Sequence, residues 1–398
     1  MDRYLALSEY YLPHKGGHVI WLHETLRRLG QSRVITHRLP GQAVHQSLDG
    51  VDIQRINLDR HPWLRPESLA MYARLTVQGL TAARRMRPAA ILAARVLPEG
   101  LAANIVAGAL GVPSVVFAHG EEITCWTHRG PRSRRALTAA TKRRLLWRTY
   151  RHADRLIANS RFTRDLLTAG GVDPRHIAVI HPGVDPDLYR PAPRDPTLVE
   201  QLGLAGRRVI LTVGRLSRRK GQDALLGALP AIAAAIPDVV YLIAGDGDHA
   251  KVLRDLADSL GVADRVRFLR EVPDDQLPAI YNLADLFAMP NRVLPDSQDV
   301  EGFGIVFLEA GACGKPVIAG RSGGVPDAVL DNQTGILVDG DDIPAIAAAA
   351  IAVLGDPDLA DRLGRAARDR VRGELTWTHA ADRVGQWIAD PASFNHLS

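Results

Sequence analysis

Cysteine is nearly absent: among 398 residues only Cys125 and Cys313 carry a thiol, far apart and without a neighbouring His or Cys at metal-ligand spacing. That excludes a disulfide framework and a zinc site of ordinary spacing, and makes a reducing cytoplasm the expected compartment. Aromatic residues are sparse at 5%. No RNA-binding aromatic signature, recognition-helix motif or zinc-finger spacing is present, so nucleic acid is not an expected partner. Long apolar runs are missing as well. The longest, near residues 345–354, is too short to cross a bilayer, and the opening MDRYLALSEYYLPHKGG has no apolar core followed by a cleavage site. Neither a membrane span nor secretion by that route is expected.

What is present is an ordinary globular composition, 46% hydrophobic and 23% charged, in a chain longer than one core commonly serves. Two domains of about 200 residues each are the natural expectation. A net charge of +5 favours anionic partners such as nucleotides, phosphorylated sugars or an acidic membrane surface.

Short apolar runs alternate with amphipathic stretches, the pattern of repeated βα units around a mostly parallel sheet. In the first half, strands are expected over residues 4–8, 33–36, 51–56, 90–94, 114–118 and 155–158. Residues 179–196, VIHPGVDPDLYRPAPRDP, hold enough proline, glycine and aspartate to break any period and read as a linker. The pattern then restarts with RRVILTVGRL and continues through VVYLIAGDGD, RVRFL, DLFAMP, KPVIAG and GILV. The expected architecture is α/β, two Rossmann-like domains facing across a cleft: residues 1–185, residues 186–375, and a helical segment 376–398 packing back on the first domain.

Residues 299–316, DVEGFGIVFLEAGACGKP, carry the most chemistry. Glu301 and Glu309 stand seven residues apart, with Gly302 and Gly304 between them and an apolar helical segment starting near Ile305. A glycine-rich turn opening a helix offers unpaired N–H groups to phosphate or sugar oxygens. Taken alone, this is more often an acidic helix start and one surface glutamate. Residues 213–221, VGRLSRRKG, place Gly214 after a strand and Arg215 and Lys220 five residues apart, where two cations can stabilise the charge on a departing diphosphate. An RRK run alone is more often a solvated patch. PHKGGH at residues 13–18 puts Gly16 and Gly17 between a strand and a helix starting near Val19, where the backbone can approach a phosphate closely. His119, in FAHGEEI, ends a strand. Gly245-Asp246-Gly247 ends another.

These stretches together resemble the large retaining glycosyltransferase family 4, whose EX7E motif DVEGFGIVFLEAGACGKP matches. Residues 209–338 carry the strongest likeness, and MPNRVLPDSQDVEGFG with VIHPGVDPDLYRP resembles the actinobacterial phosphatidylinositol mannoside mannosyltransferases. The resemblance implies a GT-B fold, with residues 1–185 as the acceptor domain and residues 186–375 as the nucleotide-sugar donor domain, and transfer of a hexose, mannose favoured, from a nucleoside-diphosphate sugar to a hydroxyl of a glycan, glycolipid or small molecule. It implies Arg215 and Lys220 as diphosphate ligands, with Arg218 and Arg219 given no role. Glu301 and the backbone of Phe303, Gly304 and Ile305 would hold the donor sugar, Glu309 the ribose, His119 the sugar, and Gly16 and Gly17 the diphosphate and acceptor. No opposite-face nucleophile is evident, so the implied mechanism is front-face displacement. No acidic cluster lies beside the clamp, so no metal and no cofactor is expected. GDP-mannose is the favoured donor, with UDP-sugars the alternative. A nucleotide-sugar epimerase of the same fold is the alternative function.

Residues 132–152, RSRRALTAATKRRLLWRTYRH, carry eight cations and no acid. They suit either a peripheral helix on an anionic membrane, near a lipid-linked acceptor, or a solvated helix whose apolar side, with Leu137, Ala140 and Leu145, is core.

Overall fold

A computed structural model describes residues 2–14, 16–59, 69–127, 134–294 and 299–394, with side chains outside 125–139 and 393. The chain divides into two compact units, one of Met1–Pro182 with Trp377–Ser398, the other of Gly183–Thr376.

In the first unit eight strands form one sheet: β1 (Arg3–Leu7), β2 (Gln31–His37), β3 (His45–Leu48), β4 (Val51–Ile56), β5 (Ala90–Ala93), β6 (Ser114–Ala118), β7 (Arg155–Ala158) and β8 (Ile177–Val179). Their order is β3-β4-β2-β1-β5-β6-β7-β8, parallel except where β3 meets β4. β5 and β6 are buried at every position, as a strand covered on both faces must be. The Gly17–Leu29 helix starts two residues earlier than its sequence suggests, because Gly16 rather than His18 takes the extended capping conformation. β3 and β8 were not foreseen: one is a polar edge strand, HQSL, and the other only three residues long. The Trp377–Ala389 helix belongs to this unit and packs on the Gly17–Leu29 helix, with Trp387 fully buried.

The second unit has six parallel strands, β9 (Arg208–Val213), β10 (Val239–Ala244), β11 (Val266–Leu269), β12 (Leu286–Met289), β13 (Val317–Gly320) and β14 (Ile336–Val338), in the order β11-β10-β9-β12-β13-β14. Alternate residues feed different cores: Val209, Leu211 and Val213 pack on one face, Ile210 on the other, as the two-residue strand period requires. Each unit is thus a Rossmann-like domain. Strand order reverses between β1 and β5 in the first sheet and between β9 and β12 in the second. Open α/β sheets bind ligands beyond the carboxyl ends of strands at such reversals.

Candidate active site

In the second unit, Gly214 and Arg215 follow β9, and a short turn, Arg218–Lys220, leads into the Gln222–Ala235 helix. Gly221 sits at φ +74°, and a Cβ there would lie 2.0 Å from the Pro290 carbonyl oxygen. Only glycine lets this turn press against the loop after β12. Lys220 is thereby buried, and a buried ammonium needs a partner. Its Nζ donates to Glu301 Oε2. Arg219 Nη1 donates to the same oxygen at 2.7 Å, while Arg219 Nε pairs with Asp299 Oδ1 at 3.1 Å. Burial pushes the Glu301 carboxyl up, but Lys220 and Arg219 outweigh it and hold it down at about 2. Glu301 is therefore an anion at every working pH.

Lys220 and Glu301 are thus brought together, and Arg215 is not: it is exposed and makes no ion pair among the described residues. Arg219, to which the sequence reading gave no role, takes the inward place beside Lys220. Nothing in an RRK run says which cation turns inward; the 3-10 turn decides it.

Gly304, at φ +96°, caps the Ile305–Ala312 helix without any side-chain cap. A Cβ there would meet the Phe307 ring at 2.5 Å. The first N–H groups of this helix, Ile305 among them, consequently have no side-chain acceptor. Phe303 itself is buried in the core. The loop after β10 braces the loop after β9, Leu216 N donating to Asp246 O at 2.9 Å.

Glu309 lies on the same helix in a different setting. Tyr281 Oη donates to its Oε2 at 2.5 Å, Tyr189 also hydrogen-bonds it, and the two tyrosine rings meet edge-on at 5.7 Å. Burial pushes the Glu309 carboxyl up to about 7 against the pull of both tyrosines. Neither tyrosine is signalled by the Glu309 motif, since both lie outside it in the chain, Tyr281 being 28 residues away.

In the first unit, Gly16 and Gly17 open an uncapped helix beside the end of β1. His119 follows β6, and its Nε2 lies 2.8 Å from the Ala94 carbonyl oxygen. A carbonyl can only accept, so Nε2 carries the proton and Nδ1 is left as the acceptor. The His119 ring stands edge-on to Trp21 at 5.5 Å and to His18 at 5.9 Å. Burial, then His119, Arg95 and His14, push His18 down to about 3, so its imidazole is neutral. Glu122, whose role the sequence left open, holds this turn: its Oε1 accepts from His119 N at 2.9 Å and from Tyr150 Oη at 2.6 Å. Among the described residues no group of three or more His, Cys, Asp or Glu side chains converges as a metal site.

Residues 16–188 match Glycosyltransferase Family 4 and residues 195–370 match Glycosyl transferases group 1. The chain is 41% identical over 238 residues to a GDP-mannose-dependent alpha-(1-6)-phosphatidylinositol monomannoside mannosyltransferase of Mycolicibacterium smegmatis, covering 60% of this chain and 62% of that relative. It is 38% identical over 239 residues to a D-inositol 3-phosphate glycosyltransferase of the same organism, covering 58% and 52%. Both matches span less than two thirds of the curated relatives' length. Among solved structures, Anabaena HepE in complex with UDP and glucose shares the fold with a TM-score of 0.77 at 22% identity, over 98% of this chain and 100% of that one. The chain belongs to glycosyltransferase family 4, with two Rossmann-like domains of the GT-B fold.

Proposed function

We propose that the protein is a retaining, metal-independent mannosyltransferase that moves mannose from GDP-mannose to a hydroxyl of an inositol-containing glycolipid. The observation that carries this reading is the buried Glu301 carboxylate held by Lys220 and Arg219 at the β9/β12 reversal. The named activities of the two mycobacterial relatives support the donor and the acceptor class.

A nucleoside diphosphate brings negative charge to cations that Glu301 already occupies. Lys220, joined by Arg215, turns to the diphosphate, and Glu301 is released to accept hydrogen bonds from the mannose hydroxyls and to face the positive charge developing at the anomeric carbon. The bond from that carbon to the phosphate oxygen breaks, and its electron pair leaves with GDP. The acceptor oxygen bonds the anomeric carbon on the same face, and the acceptor proton passes to the departing phosphate. The N–H groups at Gly304 and Ile305 position the sugar. Glu309 takes the ribose hydroxyls. Lys220 and Arg215 supply charge that a divalent ion would otherwise bring.

The chain has no single helix long and apolar enough to cross a membrane among the described residues. Within the Arg134–Arg151 helix, Leu146 and Tyr150 are core, whereas Lys142, Arg143, Arg144 and Arg148 are exposed. Leu145 is half-buried and Ala140 exposed; Leu137 lies outside the described side chains. In this reading the exposed cations hold the enzyme on anionic lipid, each contributing on the order of 1 kcal/mol.

The test is incubation of radiolabelled GDP-mannose with anionic vesicles carrying phosphatidylinositol monomannoside, with and without EDTA. Label in the lipid with the anomeric configuration retained, undiminished by EDTA, is expected. Isomerisation of the donor without acceptor, or dependence on a divalent ion, would overturn the proposal.

A further inference from the structure

The strand reversal of the first sheet, between β1 and β5, holds a second group of ionisable side chains. Arg95 lies two residues past the end of β5. Its Nη2 reaches Glu9 Oε2 at 3.2 Å, just past β1, and Glu99 Oε1 at 3.3 Å. Glu99 is fully buried, and its Oε1 also accepts from the Glu9 backbone N–H at 2.9 Å. The Arg95 guanidinium lies over the Tyr10 ring, 5.7 Å from its centroid.

As a purely structural clamp this arrangement is poorly finished. Arg95 Nε, Glu99 Oε2 and His18 Nε2 are all buried without a hydrogen-bond partner among the described residues. An unsatisfied buried polar atom destabilises the fold, and more so when charged. Three of them gathered where an α/β sheet binds ligands point to a partner from outside the chain. The Glu9 and Arg95 side chains remain 13% and 28% exposed, so the group opens to that side.

Resting on the reading that this unit takes the acceptor, we propose that Glu9 and Arg95, with Glu99 as the positioning residue beneath them, form a subsite for the uncharged hydroxyl ring of the acceptor and not for its phosphate. Two carboxylates face one guanidinium, so the clamp has no surplus positive charge even with burial pushing the Glu99 carboxyl up, and the adjoining His18 imidazole is neutral. Such a surface offers phosphate no counter-charge. It suits vicinal hydroxyls, which donate to Glu9 and accept from Arg95, and a neutral imidazole can do either.

The subsite is tested on the full-length protein by saturation-transfer NMR with myo-inositol, which needs no donor. Transfer to myo-inositol is expected in the parent and in Lys220→Ala. It should be lost in Arg95→Ala and reduced in Glu9→Gln, and inorganic phosphate should not displace it. Unchanged transfer in Arg95→Ala and Glu9→Gln, or displacement by phosphate, overturns the inference. In turnover, Arg95→Lys and Glu99→Gln should raise the acceptor KM at least tenfold with GDP affinity unchanged. A fall in kcat alone, or GDP affinity falling in parallel, would instead mark a structural role and overturn it. If myo-inositol binding depends on Arg95 while mannose transfer is never seen, the subsite stands and the mannosyltransferase reading fails.

Discussion

Each unit carries a buried charge cluster where its strand order reverses, and the two clusters are built oppositely. At β9/β12 Lys220 and Arg219 hold Glu301, with Arg219 also reaching Asp299, and the exposed Arg215 on the same loop leaves one cation in surplus. At β1/β5 two carboxylates converge on one arginine beside imidazoles. The contrast teaches that a shared Rossmann-like frame does not fix what its crevice binds. The sign of the side chains placed at the reversal does: a cationic crevice suits a diphosphate, an acidic one suits hydroxyls. Within the second unit the contrast repeats on a smaller scale, Glu301 being held as an anion by cations while burial pushes the Glu309 carboxyl up to about 7.

The strongest way to break this account is Glu301→Gln. A neutral amide cannot face developing positive charge as a carboxylate does, and turnover should fall at least about 100-fold. Near-normal initial rates would remove Glu301 from the mechanism. Next comes Lys220→Ala. A charge-assisted hydrogen bond is worth about 1.5–3 kcal/mol, so GDP binding should weaken on the order of 10- to 100-fold, and kcat should fall with it because the same charge grows in the transition state. Binding and turnover like the parent's would place the diphosphate elsewhere. Arg215→Lys should cost less, on the order of tenfold in kcat/KM, since a point charge replaces a planar fork at an exposed position; no loss at all would leave Arg219 as the second cation of the clamp.

The smallest effect sharpens the comparison of the two glutamates through pH. The folded-state pKa of Glu309 is raised from 4.5 to about 7. The stability that its proton contributes is full below about 4.5 and is lost as pH rises through about 7. Glu301 is the reverse, stabilising above about 4.5 and losing that contribution as pH falls through about 2. Melting temperature measured from pH 4.5 to 8 should therefore decline less in Glu309→Gln than in the parent. Parallel curves would show that Glu309 does not titrate there.

The sheets were legible because parallel strands buried on both faces read as short apolar runs; RVILTV, VVYLIA and SVVFA are β9, β10 and β6. β3 was not, because a polar edge strand carries no such signal. At the site, DVEGFGIVFLEAGA marked Glu301 and the glycine that opens the next helix, since that turn is local. The partners of those residues were illegible for the opposite reason. Arg219 was hidden in a run of cations, Tyr189 and Tyr281 reach Glu309 across the fold, and the Glu9–Arg95–Glu99 clamp joins residues 86 apart through the adjacency of β1 and β5.

In the proposed mechanism Glu301 and the donor diphosphate compete for the same cations. Calorimetric titration of GDP into the parent, Lys220→Ala and Glu301→Gln tests it most directly. Lys220→Ala should bind GDP at least tenfold more weakly, whereas Glu301→Gln should bind it as tightly as the parent or more so. If Glu301→Gln lost GDP affinity as Lys220→Ala does, the carboxylate would be part of the nucleotide's binding site and not its competitor, and the account would be contradicted.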